Sequence, residues 1–221
     1  MLKVSSSPMA LEPLNGSAKN RPKPTRHVIL IVHYSFSHLL CIRVHLVLDQ
    51  TFALNLSAPF IAQFFTENLL KILPYTDIVF GNETEAEAFA TATNYSGSKT
   101  DLIGIAKVLA GYEKSNKARE RIVVFTNGAK STILIAGPNA EAQTIPVKAL
   151  SSDKIVDTNG AGDAFAGGFL GALVSGKTLR ECVLAGHELG RMCVQEVCHC
   201  TSPWYIDKPA FYLGRSSVQM A

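Results

Sequence analysis

The spacing of hydrophobic and polar positions changes several times along this chain, and the changes divide it. Residues 1–27 show no hydrophobic period and include Pro8, Pro13, Pro22 and Pro24, the composition of a disordered tail. Val28 to Leu48 is then almost continuously apolar behind Arg21, Lys23 and Arg26. A basic flank before about 20 apolar residues is also what a membrane anchor shows. His33, His38, Arg43 and His45 interrupt the run, and arginine near mid-bilayer costs at least roughly 2.5–3.5 kcal/mol. One or two short strands is therefore the preferred reading of this segment, with an anchor over 28–48 as the alternative.

From Thr51 onward, strand and helix periods alternate. Phe52 to Leu56 predicts a strand, Ser57 a helix cap, and Pro59 a first helical turn. Phe60, Ile61, Phe64, Phe65, Leu69, Ile72 and Leu73 recur at 3.6-residue spacing until Pro74, which predicts one amphipathic helix. Ile78–Phe80 is a predicted strand, followed by a helix that Thr84 and Glu87 open as a capping box. A helix over about Asp101–Ala110 ends at Gly111. Strands follow at Ile122–Phe125, Thr132–Ile135 and Thr144–Val147, close enough for a meander. Ile155-Val156 then predicts a strand leading into a glycine-rich turn, and helices span about 161–174 and 178–197. Strands alternating with helices mean an α/β fold, a sheet covered by helices.

Composition narrows the class. The 221 residues are 47% hydrophobic and 18% charged, which excludes an intrinsically disordered chain. The net charge of +3 is uneven: residues 1–49 carry +4 and the remainder −1, so nucleic acid is not the expected partner of the body. Cys41, Cys182, Cys193, Cys198 and Cys200 are odd in number and lack the second cysteine pair of a zinc site, so they read as reduced thiols. Asn55, Asn82 and Asn94 each head an N-x-[ST] triplet, read as incidental.

The chemistry concentrates at predicted strand exits, where open α/β sheets bind ligands. Asp157-Thr-Asn-Gly-Ala-Gly-Asp163 opens a helix, and its glycines let amides turn toward an anion beside the helix dipole. Asp163 there either takes a proton from an attacking hydroxyl or simply caps the helix. Asn82 and Glu85, three apart at another exit, suit Mg²⁺ held through water, or a capped helix with solvated glutamates. Thr126-Asn127-Gly128 lies at a third exit. Two other motifs fail. Gly160-x-Gly162 meets Phe165 where a dinucleotide fingerprint needs glycine, and Gly171 to Thr178 matches a phosphate loop but follows a helical pattern rather than a strand.

The Asp157–Phe165 segment resembles the signature of the ribokinase-like, PfkB-type kinases. Asn159, with FALNLSAPF (52–60), FGNETEAEAFA (80–90), RIVVFTNGA (121–129) and AGH (185–187), is similar to the adenosine-kinase branch of that family. The resemblance runs from about Phe52 to Pro209. It implies a doubly wound core with a small lid and transfer of the γ-phosphoryl of ATP to the 5′-hydroxyl of adenosine, with Mg²⁺. It further implies Asp163 as general base and the amides of Gly160, Ala161 and Gly162 as the anion hole. Asn82 and Glu85 would govern Mg²⁺ and phosphate placement, and Thr126 and Gly128 would line the ATP phosphate and ribose. His187 would lie near the adenine of ATP and Asn159 near the acceptor nucleoside. Residues 1–50 hold no paired glycine and no recognisable counterpart of the N-terminal part of the family, whose members are longer, so the expectation is an atypical leader over 1–50, a core over 51–210 shortened at its N-terminal side, and a tail over 211–221. The remaining expectations are a cytoplasmic monomer, with the nucleus as a second location, that has adenosine and ATP as its partners and no nucleic acid or membrane. The alternatives are a remnant that binds ATP or partners without turnover, and a kinase for another sugar or nucleoside.

Overall fold

The computed structural model describes residues 28–31, by backbone only, and 51–196. Six strands form one mixed sheet in chain order: β1 (Val28–Ile31), β2 (Thr51–Asn55), β3 (Ile78–Asn82), β4 (Ile122–Asn127), β5 (Ser131–Ala136) and β6 (Gln143–Pro146). Strands β1 to β4 are parallel, with Ala53 opposite Ile78 and Ile78 opposite Ile122. Strands β5 and β6 return antiparallel as the expected meander. The helices are α1 (Pro59–Phe64), α2 (Thr66–Ile72), α3 (Glu83–Ala92), α4 (Leu102–Gly111), α5 (Ala161–Val174) and α6 (Leu179–Cys193).

Alternation along the strands makes two cores. Phe52, Leu54, Val79, Val123 and Phe125 face one way, onto α1 to α4. Ala53, Ile78, Phe80, Val124 and Leu134 face the other, onto Phe165, Phe169 and Leu173 of α5 and Cys182 and Val183 of α6. Helices thus cover both faces, the doubly wound arrangement expected. The α5–α6 contact is close: a Cβ on Gly168 would lie 2.6 Å from the Ala185 carbonyl oxygen, and one on Gly186 would lie 2.8 Å from the Phe165 ring.

Several local expectations change. The helix expected over Phe60–Leu73 breaks at Phe65, whose φ of −124° is not helical, and Phe60, Phe64 and Phe65 are exposed. Ser57 is not a cap. It takes a left-handed conformation, and Ala58 precedes α1 with Pro59 in the first turn. The last helix ends at Cys193 rather than 197. Ile155 and Val156 form no strand and are exposed. Their place is fixed instead by α6, whose Val194 carbonyl accepts the amides of Val156 at 2.8 Å and Asp157 at 3.3 Å.

The phosphate-loop match dissolves as expected. Gly171 lies inside α5, Gly176 ends that helix with φ 75°, and Thr178 caps α6 in a capping box with Glu181. Val28–Ile31 of the apolar segment pairs in the sheet, while 32–50 lies outside the described residues, as do the tails 1–27 and 197–221 with Cys198 and Cys200. No helix among the described residues is long and apolar enough to cross a membrane.

Candidate active site

Because β2, β3 and β4 are parallel, their carboxyl ends share one edge, which carries Asn55, Asn82 and Asn127. The N-terminus of α5 is carried to the same edge. Gly160 precedes it in the left-handed conformation, φ 76°, which glycine adopts without steric cost. That turn swings Asp163 into the first helical turn, where its Oδ1 accepts Asn55 Nδ2 at 3.4 Å. Asp163 is exposed, and its contact with Asn55 turns its carboxylate toward the edge. Of the three expected anion-hole amides, that of Ala161 is engaged by the Thr158 carbonyl at 3.3 Å. Gly160 and Gly162 lie exposed at the positive end of the helix dipole.

Asn82 and Glu85 form the capping box that the sequence reading assigned to Thr84 and Glu87. The Asn82 Oδ1 accepts the Glu85 amide at 2.9 Å and the Thr84 hydroxyl at 2.8 Å. Glu85 accepts the Asn82 amide and side-chain Nδ2, each at 3.0 Å. The cap sits two residues earlier than expected because β3 runs on to Asn82, opposite Thr126. Glu85 is 6% exposed, and burial pushes its carboxyl above the usual range. The Asn82 amide opposes this, while the charges of Glu83 and Asp163 add to the rise.

This donor set fits Mg²⁺ through water only. No group of three His, Cys, Asp or Glu side chains able to hold a metal occurs among the described residues. Both Glu85 oxygens already hold the helix cap, leaving lone pairs for ordered water but no open bidentate clamp.

The other expected residues spread along the sheet. Thr126 donates weakly to the Gly81 carbonyl at 3.4 Å, and Gly128, φ 51°, turns β4 into β5 with open space where a side chain would be. His187 on α6 meets Thr132 Oγ1 of β5 at 2.8 Å and packs on Phe165 at 5.7 Å between ring centres. Burial lowers its pKa below the usual imidazole value. Asn159 is exposed in the turn, its amide on Asp157 Oδ1 at 2.9 Å and its carbonyl receiving the Cys193 thiol at 3.6 Å. Asn55 is the contact the sequence reading missed. Its place at a strand exit was the available signal.

The sequence profile described as "pfkB family carbohydrate kinase" matches residues 42–204. The adenosine kinase of Schizophyllum commune is 50% identical over 150 residues, which are 67% of this chain and 43% of that protein. That of Schizosaccharomyces pombe is 42% identical, over 71% of this chain and 45% of its own. Among solved structures, Anopheles gambiae adenosine kinase in complex with P1,P4-di(adenosine-5) tetraphosphate superposes with a TM-score of 0.70 at 40% identity. That match covers 74% of this chain and 47% of the other. Schistosoma mansoni adenosine kinase in complex with 2-fluoroadenosine gives 0.68 at 31% identity, over 72% of this chain and 46% of the other. The chain thus spans less than half the length of these relatives.

Proposed function

The chain belongs to the pfkB family of carbohydrate kinases, and from that membership we propose that it transfers the γ-phosphoryl group of ATP to the 5′-hydroxyl of adenosine, forming AMP. The observation that carries this reading is the Asp163 carboxylate, exposed in the first turn of α5 and held against Asn55, at the edge shared by three parallel strand ends. A base there takes the proton of the attacking hydroxyl as the oxygen bonds to phosphorus. The exposed amides at Gly160 and Gly162, with the helix dipole, stabilise the charge on the transferring group. Asn82 and Glu85 hold Mg²⁺ through water, and the ion when bound neutralises phosphate charge. Thr126, Gly128 and His187 follow from β4 to β5, so a nucleotide lies along the sheet edge with its base toward His187. Asn159 lies on the acceptor side.

The same reading makes the protein a cytoplasmic monomer acting on small molecules. The near-neutral body and the free, buried thiol of Cys182 accord with that. A second reading, ATP binding without turnover, draws on the exposure of Asn159, Gly160, Gly162 and Asp163, since phosphoryl transfer works best where water is excluded. Release of ADP from ATP–Mg²⁺ by purified protein separates the two. Release that requires adenosine is the expected result. ATP binding without release establishes the second reading, and release that requires another sugar or nucleoside reassigns the acceptor.

A further inference from the structure

Asn55, the last residue of β2, donates from Nδ2 to Asp163 Oδ1 across 108 residues of chain. Its amide is not free to rotate. The Oδ1 atom accepts the Ser57 amide at 3.2 Å, which leaves the donor end for Asp163. Ser57 is held left-handed at φ 65°, a conformation that costs energy in a residue other than glycine, and its hydroxyl donates to the Asn55 carbonyl at 3.1 Å. The amide of Leu56 in between bonds the Phe80 carbonyl of β3 at 2.9 Å, so this strained exit is pinned to the sheet. Asn55 makes the sole hydrogen bond to the Asp163 carboxylate among the described residues. A separation of 3.4 Å is long, but hydrogen bonds of catalytic groups commonly tighten when substrate binds.

We propose that Asn55 is a positioning residue: its side-chain amide, oriented by the Ser57 N–H, holds the Asp163 carboxylate in the rotamer that receives the substrate proton. The inference rests on Asp163 acting as base. Two variants separate this role from simple support of the strand exit. Asn55→Asp keeps an acceptor for the Ser57 amide but loses the donor. Asn55→Ala loses both and adds no charge, so the missing donor is the change the two variants share. A fall in kcat on the order of 10- to 100-fold in both, with KM for ATP unchanged, is the expected result. Wild-type kcat in Asn55→Asp would overturn the proposal. A second readout needs no turnover. In ¹⁵N-labelled protein the Asn55 side-chain NH₂ signals, identified by their loss in Asn55→Asp, should move in Asp163→Ala. Unmoved signals refute the contact even in an active enzyme, whereas moved signals in a chain without kinase activity uphold the contact and count against the proposed function instead.

Discussion

Arg121 shows how little a residue's charge says about its role. It is 1% exposed and lies at the start of β4, at the end of the sheet opposite Asp163. Its guanidinium donates to the carbonyls of Leu73, Thr76, Leu109, Tyr112 and Glu113, closing the ends of a 3₁₀ turn (Leu73–Tyr75) and of α4. Burial pulls its pKa down to about 10, with Asp77 opposing. In the sequence it looks like any charge flanking a strand, because nothing local announces five distant carbonyls. Arg121→Met leaves those carbonyls unpaired and should cost about 3 kcal/mol or more, read as a lower urea midpoint. Asp163 is the converse case. It lies in the first turn of α5, where its carboxylate suits the helix dipole, and its side chain accepts Asn55 from the end of β2. At Asn82 and Glu85 the side chains cap α3 from the strand exit that carries Asn82.

The elements most legible in the sequence are those whose period agrees with their packing. Helix α5 keeps its expected bounds, 161–174, because a glycine turn and a buried apolar stripe both specify it. The strand expected at Ile155-Val156 failed for a tertiary reason. β-Branched residues suit a strand, but the Ile155 amide bonds back to the Ser152 carbonyl and the Val156 amide to the Val194 carbonyl at the end of α6. The broken helix at Phe65 shows the same limit, since 3.6-residue spacing does not reveal which face finds a partner.

Between α5 and α6, Gly168→Ala should lower stability by about 1–3 kcal/mol in urea unfolding, because the new methyl meets backbone rather than a flexible side chain. His187, joining α6 to β5, makes stability depend on pH. Its folded pKa is lowered by burial, so between that value and about 6.5 the unfolded state binds more protons. Stability therefore rises with pH across that window and is lost as pH falls through it. His187→Gln keeps a partner for Thr132 without titrating, so its Tm should fall less than that of wild type on acidification below 6.5. Glu85, whose raised pKa acts with the opposite sign, is common to both proteins and cancels in the comparison.

At the scale of the molecule, the residues singled out for chemistry share one edge of one sheet. They run from Asn55 on β2 past Asn82 and Thr126 to β5, where Thr132 meets His187 of α6, three strand spacings or roughly 14 Å. The fold class was readable from alternating periods, and the edge followed from motifs at strand exits. The placement of Asp163 against Asn55 was not readable, because it depends on where α6 holds the preceding loop. The central claim is that this edge performs phosphoryl transfer with Asp163 as its base. Single-turnover transfer of labelled γ-phosphoryl from ATP–Mg²⁺ to adenosine, in wild type and Asp163→Asn with matched urea midpoints, tests it most directly. The expected result is labelled AMP from the wild type and a rate lower by about 100- to 10,000-fold in the variant. Equal AMP formation by the two proteins would contradict it.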